Sequence, residues 1–249
     1  MKIITVNLKK GLDAARVLLK LTSFILVITL AVLLSSRYFS LNKTYVSALS
    51  ELTDSKTIII DAGHGGEDCG AIGVNGVYEK DLNLEISTVI GQMLTERGYA
   101  VIYTRTEDKL LYTDEENIKG IRKISDLKNR CKIGAEHPNS LFVSIHMNSF
   151  SSPLYSGVHT YYSPNNPSSY DLAKGVQSGV QKTLQPDNDR VIKRGENMYL
   201  LEHLENPAIL IECGFLTNEE ECELLCKKEY QKELSFAIVC AIIEYIEKT

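Results

Sequence analysis

The chain has 249 residues, 44% of them hydrophobic and 24% charged, which is an ordinary globular composition and enough length for one generous domain. Seven Lys or Arg and one acid give residues 1–50 a charge of +6, which leaves −11 for the remainder of a chain whose formal net charge is −5. This acidic remainder has no basic stripe and is excluded as a nucleic-acid-binding domain, because phosphate binding requires clustered Lys and Arg.

The N-terminus has a positively charged flank and then an apolar run. Residues 21–34 contain no charge, and Lys9, Lys10, Arg16 and Lys20 precede them. The pattern is typical of a signal peptide or a membrane anchor, and the flanking charges disfavour a buried core helix. No convincing cleavage pattern follows at once, so we favour an uncleaved anchor over a removed signal. In both cases the positive-inside rule places the later residues outside the cytoplasm.

The predicted organisation is a signal or anchor segment at 1–36, a polar linker at 37–55 and one folded domain at 56–249. Within that domain buried strands are predicted at 57–61, 99–105, 141–148, 156–163 and 208–213. Helices are predicted from Glu79 to a stop at Gly98, and at 119–136, 168–184, 218–228 and 230–247. This alternation predicts an α/β domain with a mostly parallel central sheet flanked by helices.

Two details of this prediction concern packing. The strand at 156–163 follows the strand at 141–148 closely enough to be its neighbour in the sheet. The last helix has an apolar face formed by Phe236, Val239, Ile242, Ile243 and Ile246.

Ionisable residues stand at the ends of three predicted strands. His64 follows the first strand within a glycine-rich loop, His146 ends the third, and Glu212 ends the last. The functional crevice of an open α/β sheet lies outside the carboxyl ends of its strands, so these residues are expected to converge there. Glu79 opens the helix on the far side of the glycine loop and can point into the same crevice.

His64, Glu79 and His146 form the two-histidine, one-carboxylate set that is common in catalytic zinc sites. One zinc per chain would acidify a water and polarise a carbonyl. Glu212, kept off the metal and partly desolvated on an apolar strand, suits a general base that takes the proton of the water and passes it to the leaving amine.

Each of these residues has a simpler structural interpretation. A histidine at a strand end is more often a hydrogen-bonded structural residue than a ligand. Glu79 is a favourable helix N-terminal residue whatever its role. Glu212 could pair with a neighbouring cation. Their coincidence at one edge of the sheet favours the catalytic interpretation.

Other polar residues are less distinctive. His159 lies in a strand and is the rival ligand, whereas His137 and His203 are interpreted as surface residues. Asp61 and Asn148 either support the ligand loops by hydrogen bonds or cap ordinary loops.

The six cysteines show no C-x-x-C pair and no small-domain disulfide framework, so most are interpreted as buried thiols.

Four segments carry a family resemblance. "DAGHGGEDCGAIG", "YEKDLNL", "SIHMNS" and "ILIECGFLTN" resemble, in order and spacing, the signature segments of the zinc-dependent N-acetylmuramoyl-L-alanine amidases of the amidase type 3 family. The resemblance runs from about residue 57 to 247. It implies that His64, Glu79 and His146 bind zinc and that Glu212 is the catalytic carboxylate. Ala62 and Met147 depart from the usual proline and alanine but leave the ligands intact.

The resemblance also implies a substrate and partners. Family members cut the amide between the lactyl group of muramic acid and L-alanine in peptidoglycan. One domain, an N-terminal anchor and no wall-binding repeats look most like the germination-specific spore-cortex amidases, which prepare the glycan for muramic δ-lactam formation. The expected partners are peptidoglycan, a membrane and an accessory regulatory protein, with no nucleic acid.

Two other classes are weighed against an amidase. A zinc protease or carboxypeptidase is disfavoured because the chain has no H-E-x-x-H helix. A non-catalytic module that binds peptidoglycan is disfavoured because the ligand set and Glu212 are complete.

Overall fold

The structure is a computed structural model that describes residues 57–249 and, from helical segments before them, Thr29, Ser35 and Arg37. Apart from those three residues, the predicted N-terminal segment and linker lie outside the described residues. The chain separates into two units, Met1–Leu52 and Thr53–Thr249. Among the described residues, no helix combines the length and hydrophobicity that crossing a membrane requires.

A six-stranded sheet forms the centre of the second unit. Its strands are β1 (Thr57–Ala62), β2 (Ala100–Tyr103), β3 (Leu141–Asn148), β4 (His159–Tyr162), β5 (Lys193–Arg194) and β6 (Ala208–Phe215). The spatial order is β2-β1-β3-β6-β4-β5. The pairs β2–β1, β1–β3, β3–β6 and β4–β5 are parallel, and β4 runs antiparallel to β6. The predicted α/β domain with a mostly parallel sheet is confirmed.

Helices cover both faces of this sheet. They are α1 (Glu79–Glu96), α2 (Arg122–Glu136), α3 (Ser168–Thr183), α4 (Tyr199–His203), α5 (Glu219–Leu225) and α6 (Lys228–Lys248). The prediction missed α4 and β5, which have five and two residues and are too short to show a periodic pattern.

The two faces of the sheet differ in their cover. Ile58 and Ile60 point to a large core formed with α1, α3 and α6. Ile59 points to the opposite face because side chains alternate along a strand. There it joins a smaller core with Phe142, covered by residues of α2 and α4. His146 and Glu212 lie on this second face, near the carboxyl ends of β3 and β6.

Two packing predictions need correction. β4 is not the neighbour of β3, because β6 lies between them. Residues 149–158 cross the two strand spacings, about 10 Å, which ten residues span easily. Phe236 is not on the buried face of α6, since 53% of it is exposed, whereas Ile238 and Ile242 are fully buried.

Candidate active site

His64, Glu79 and His146 come together as the sequence predicts. One ligand atom from each lies within 4.8 Å of those of the other two. Glu79 Oε1 is 3.2 Å from His64 Nε2 and 2.9 Å from His146 Nδ1, so one carboxylate oxygen faces both imidazoles. The two rings meet edge to face with centroids 4.9 Å apart. Two nitrogens and one oxygen therefore surround a single point.

The glycine-rich loop gives His64 its unusual backbone. His64 has φ of 61°, in the left-handed region that non-glycine residues rarely adopt, and Gly65 and Gly66 also have positive φ. Gly63 permits a second close approach, because a Cβ there would overlap the imidazole of His146. The absence of side chains at these glycines thus leaves space for the two histidine rings.

Glu79 is held by backbone donors on both sides of the crevice. Its Oε2 accepts a hydrogen bond from the Ala71 N–H at 2.8 Å. Its Oε1 accepts one from the Met147 N–H at 3.1 Å, which ties the start of α1 to the end of β3. The Asn83 side-chain amide, one turn further along α1, donates to Oε1 at 3.3 Å. These three hydrogen bonds therefore fix the position of the Glu79 carboxylate independently of any metal.

Two buried arginines that the sequence analysis did not single out hold the glycine loop. Arg130 donates to the carbonyls of Ala62 and His64, each at 2.7 Å. Arg105 donates to the carbonyls of Ala62 and Gly63, each at 2.9 Å. Together with the Asn83 amide, which donates to the Gly63 carbonyl at 3.1 Å, these guanidinium groups fix the turn that presents His64. Arg105 is the last residue of the strand predicted at 99–105. Its position at the same sheet edge as His64 could have identified it from the sequence.

Asp61 is one of the two buried carboxylates that keep Arg130 in place, the other being Asp126 at 2.8 Å. Asp61 is fully buried and pairs with Arg130 at 2.6 Å, and it accepts hydrogen bonds from Ser144 and Thr104. Burial alone would raise the pKa of this carboxyl, but the charge of Arg130 and the two hydroxyl donors hold the pKa below its ordinary value. Asp61 thus supports the ligand loop through Arg130, the role that the sequence analysis weighed for it.

Glu212 occupies the strand next to His146. The two residues are paired in the β3–β6 register, so their side chains point to the same face about 4.8 Å apart at the backbone. Its Oε2 is buried and has no hydrogen-bond partner among the described residues. Burial raises the pKa of Glu212 to about 7. Glu212 therefore places an unpartnered carboxyl oxygen beside the group formed by His64, Glu79 and His146.

The candidate ligand residues are electrostatically coupled. Burial disfavours the protonation of His64, but hydrogen bonds to Asp68 and Glu79 outweigh it and raise the pKa of His64 to about 9. Burial likewise opposes the ionised form of Glu79, and the two histidines overcome it and hold the pKa of Glu79 far below its usual range. His64 Nδ1 lies 2.9 Å from Asp68 Oδ2, which leaves Nε2 facing the crevice.

The remaining histidines stay apart from this cluster. His159 is buried in β4, and its Nε2 donates to the Val191 carbonyl at 3.0 Å. Burial and the nearby Lys193 lower the pKa of His159 to about 4, so this histidine is neutral. It therefore forms no part of the ligand group, and His137 and His203 are exposed, as expected.

Asn148 lies at the end of β3, and its carbonyl accepts a hydrogen bond from the Leu216 N–H at 2.8 Å, so its backbone joins β3 to the turn after β6.

All six cysteines are free thiols. Cys213 and Cys222 are buried, whereas Cys69, Cys131, Cys226 and Cys240 are half-buried, so full burial is less common than the sequence suggested.

The comparisons with known proteins agree with this geometry. The N-acetylmuramoyl-L-alanine amidase family matches residues 58–244. A germination-specific N-acetylmuramoyl-L-alanine amidase of Bacillus subtilis (strain 168) is 34% identical over 227 residues, covering 91% of this chain and 94% of that relative. These matches define the class of the chain as an amidase rather than a protease.

Solved structures show the same fold. The CwlD amidase from Clostridioides difficile, in complex with the GerS lipoprotein, superposes with a TM-score of 0.75 at 38% identity and covers 78% of this chain and 100% of that one. An N-acetylmuramoyl-L-alanine amidase from Clostridium difficile 630 gives a TM-score of 0.69 at 31% identity, covering 79% and 99%. The chain belongs to the N-acetylmuramoyl-L-alanine amidase family. It is an enzyme that hydrolyses the amide between N-acetylmuramic acid and L-alanine in peptidoglycan.

Proposed function

We propose that the hydrolysis depends on one zinc ion held by His64, Glu79 and His146, with Glu212 as the catalytic carboxylate. The observation that supports this proposal is the meeting of His64 Nε2, Glu79 Oε1 and His146 Nδ1 at one point beside an unpartnered Glu212 oxygen. Two imidazoles and one carboxylate leave a fourth tetrahedral position for water or substrate.

The donor set fits zinc better than the other common metals. Calcium and magnesium prefer six or more oxygen ligands, whereas imidazole nitrogens suit zinc and other transition metals. Asp68 also fits this assignment, because its contact with His64 Nδ1 at 2.9 Å orients the ring and makes Nε2 the available ligand atom. Zinc in this position would supply polarisation of the substrate carbonyl and acidification of a water.

Glu212 performs the proton transfers in this proposal. Its deprotonated carboxylate takes a proton from the attacking water as the water adds to the lactyl carbonyl carbon. The same group then donates that proton to the nitrogen of L-alanine as the carbon–nitrogen bond breaks, so the products are a muramic acid carboxylate and a free peptide amine. Burial raises the pKa of Glu212 to about 7, which suits this group to transfer in both directions.

Metal analysis and chelation test the cofactor. The purified chain should contain about one zinc, lose activity on chelation and regain it with zinc. His64→Ala should lower the zinc content, whereas exposed His203→Ala should not. A metal-free protein that retains full turnover would contradict the zinc assignment without affecting the amidase assignment.

We further propose that the substrate is spore-cortex peptidoglycan and that cleavage prepares muramic δ-lactam formation. The germination-specific relative supports this cellular role. Mass spectrometry of digested cortex should show glycan from which whole stem peptides have been removed. Cuts inside the stem peptide would indicate a peptidase, and vegetative-wall cleavage without cortex cleavage would contradict the cortex assignment alone.

The same relatives support a proposal about the site of action. We propose that the domain works outside the cytoplasm, attached by residues 1–36 or released after their removal, and that an accessory lipoprotein assists it. The complex of the CwlD amidase with the GerS lipoprotein supports such a partner. Purification from membranes of sporulating cells, followed by zinc measurement with and without the co-purifying lipoprotein, tests both ideas. Complete zinc loading in its absence would contradict a role in metal retention.

A further inference from the structure

A groove lies beside the candidate active site, on the side away from His64. It has a volume of about 280 Å³ and is lined by Asn148, Phe150, Tyr155, His159, Tyr161, Arg190, Lys193 and Phe215. Arg190 and Lys193 are its charged residues, since His159 is neutral, and no carboxylate lines it. A cationic groove is unexpected in a chain with a net charge of −5.

The strand register places this groove on the same face as the proposed catalytic residues. Glu212 is paired with His146 on one side and with His159 on the other. Two residues further along β4, Tyr161 is paired with Lys193 of β5. Paired residues point to the same face of a sheet. Lys193 therefore lies two strand spacings across the sheet and two residues along it from Glu212, about 12 Å away at the backbone, which is the length of roughly three to four extended residues.

The cationic side chains near His64 are already paired with carboxylates of the protein. Each of three forms an ion pair with a carboxylate: Lys80 with Asp108, Arg122 with Glu67 and Lys123 with Asp68, at 2.6, 2.6 and 3.0 Å. Their charge is already neutralised on the protein. On this side of the site, a bound anion would have to displace an existing partner.

Lys193 and Arg190 make no ion pair with a carboxylate in the part of the chain that the structure describes. Arg190 is nevertheless held in position. It donates to the Ser156 carbonyl at 2.8 Å and lies 4.7 Å from the Phe215 ring centroid and 5.6 Å from that of Tyr155. A guanidinium fixed on two rings keeps donors available for a carboxylate.

The substrate carries its negative charge on one side only. The lactyl carboxyl of N-acetylmuramic acid is consumed in the scissile amide, so the glycan at the cleavage point is neutral. The stem peptide, on the other side of the amide, ends in a free carboxylate and carries any acidic side chains. Cations within a few residues of Glu212 therefore distinguish the peptide side from the glycan side.

We propose that this groove is the stem-peptide subsite and that Lys193 and Arg190 pair with peptide carboxylates. The peptide then runs from Glu212 across β4 towards β5, with Phe150 and Tyr155 along its apolar wall. This inference rests on the proposed function of Glu212, and it adds a direction for the bound substrate and the residues that recognise it. Arg190 and Tyr155 also line a larger cavity of about 620 Å³ that contains Asp187 and Asp189, so Lys193 is the cation that belongs to the groove alone.

The test compares two substrates in proteins with and without the positive charge of Lys193. Muramoyl peptides with free peptide carboxylates are assayed beside the same compounds with those carboxylates converted to amides. Lys193→Gln should raise KM about two- to fivefold for the free-acid substrate, as expected for one partly exposed ion pair, and leave the amidated substrate unchanged. Lys193→Arg should restore most of the lost selectivity, and exposed Lys232→Gln is the matched control.

Salt provides a second readout. In the wild-type protein KM for the free-acid substrate should rise with sodium chloride, and Lys193→Gln should flatten that dependence. Equal losses on both substrates, or no loss on either, would overturn the subsite while leaving the amidase intact. A zinc-loaded wild-type protein that cleaves neither substrate would instead contradict the proposed catalytic site, and this inference with it.

Discussion

Asp61 and Glu212 are carboxylates on the same face of one sheet, yet their surroundings give them opposite properties. Asp61 has an ion pair at 2.6 Å and two hydroxyl donors, and its pKa lies below the ordinary value. Glu212 has a buried oxygen without a partner, and its pKa is raised to about 7. A satisfied carboxylate stabilises the scaffold, whereas an unsatisfied one is available for chemistry. Burial by itself therefore does not distinguish the two roles, but the hydrogen-bond partners do.

The largest expected effect is a loss of activity on substitution of Glu212, which distinguishes it from Asp61. Glu212→Gln removes the proton acceptor while keeping the shape of the side chain, so kcat should fall about 10²- to 10⁴-fold. Zinc content and unfolding free energy should stay close to those of the wild type. Steady-state kinetics, metal analysis and denaturant titration measure the three quantities. Retained activity would remove Glu212 from the mechanism.

Asp61→Asn should show the reverse pattern. The substitution removes one of the two buried carboxylates that pair with Arg130 and leaves Asp126 as the other, so the unfolding free energy should fall by about 2–4 kcal/mol, somewhat less than the loss of a sole buried partner costs. Denaturant titration measures this loss. The control is Glu67→Gln, which breaks an exposed pair with Arg122 and should cost less than about 1 kcal/mol. Similar losses for both variants would contradict the structural role assigned to Asp61.

Gly63→Ala tests the loop that Arg130 holds. A Cβ at this position overlaps the His146 imidazole, so we expect a loss of about 1–3 kcal/mol together with weaker zinc binding. Gly175→Ala is the matched control, because nothing lies within 4 Å of a Cβ there and alanine stabilises a helix by roughly 0.5–1 kcal/mol. Unchanged zinc affinity in Gly63→Ala would show that the ring can move aside freely.

The smallest expected effect is a pH dependence near Glu212. The pKa of His159 is about 4 in the folded chain and 6.5 in an unfolded one, so the unfolded state binds more protons between these values. The stability from His159 is complete above pH 6.5 and is lost as the pH falls towards 4. From pH 7 to pH 6 the loss is roughly 0.5–1 kcal/mol. Glu212 and His64 also titrate with shifted pKa values, so His159→Gln should change the pH dependence of stability between pH 6 and 7 by this amount rather than abolish it. Exposed His203→Gln is the control, and an unchanged slope in His159→Gln would contradict the contribution of His159.

Much of the fold was predictable because the strands are continuous apolar runs and α1 is strongly periodic. The buried residues Leu82, Ile86, Ile90 and Leu94 follow the predicted helical spacing. The position of β4 was not predictable, because insertion of β6 beside β3 depends on contacts between residues distant in sequence. Elements as short as β5 carry no periodic signal, although β5 places Lys193 in the groove.

The candidate site was also predictable only in part. His64, Glu79, His146 and Glu212 stand out because polar residues end apolar strands or open a helix at one sheet edge. Arg130 did not stand out, because an arginine within an amphipathic helix is usually a surface residue. Its burial depends on Asp61, which lies 69 positions away in the sequence. Residues that act through such long-range partners require the structure.

The strand order has a consequence for biosynthesis. β6 is the last strand to be synthesised, yet it lies in the middle of the sheet between β3 and β4. Until it inserts, β3 and β4 each keep an open edge and the chain lacks Glu212, although His64, Glu79 and His146 have already been made. Hydrolytic competence is thus expected to arise only at the final stage of assembly, which would prevent incomplete or truncated chains from damaging the cell wall.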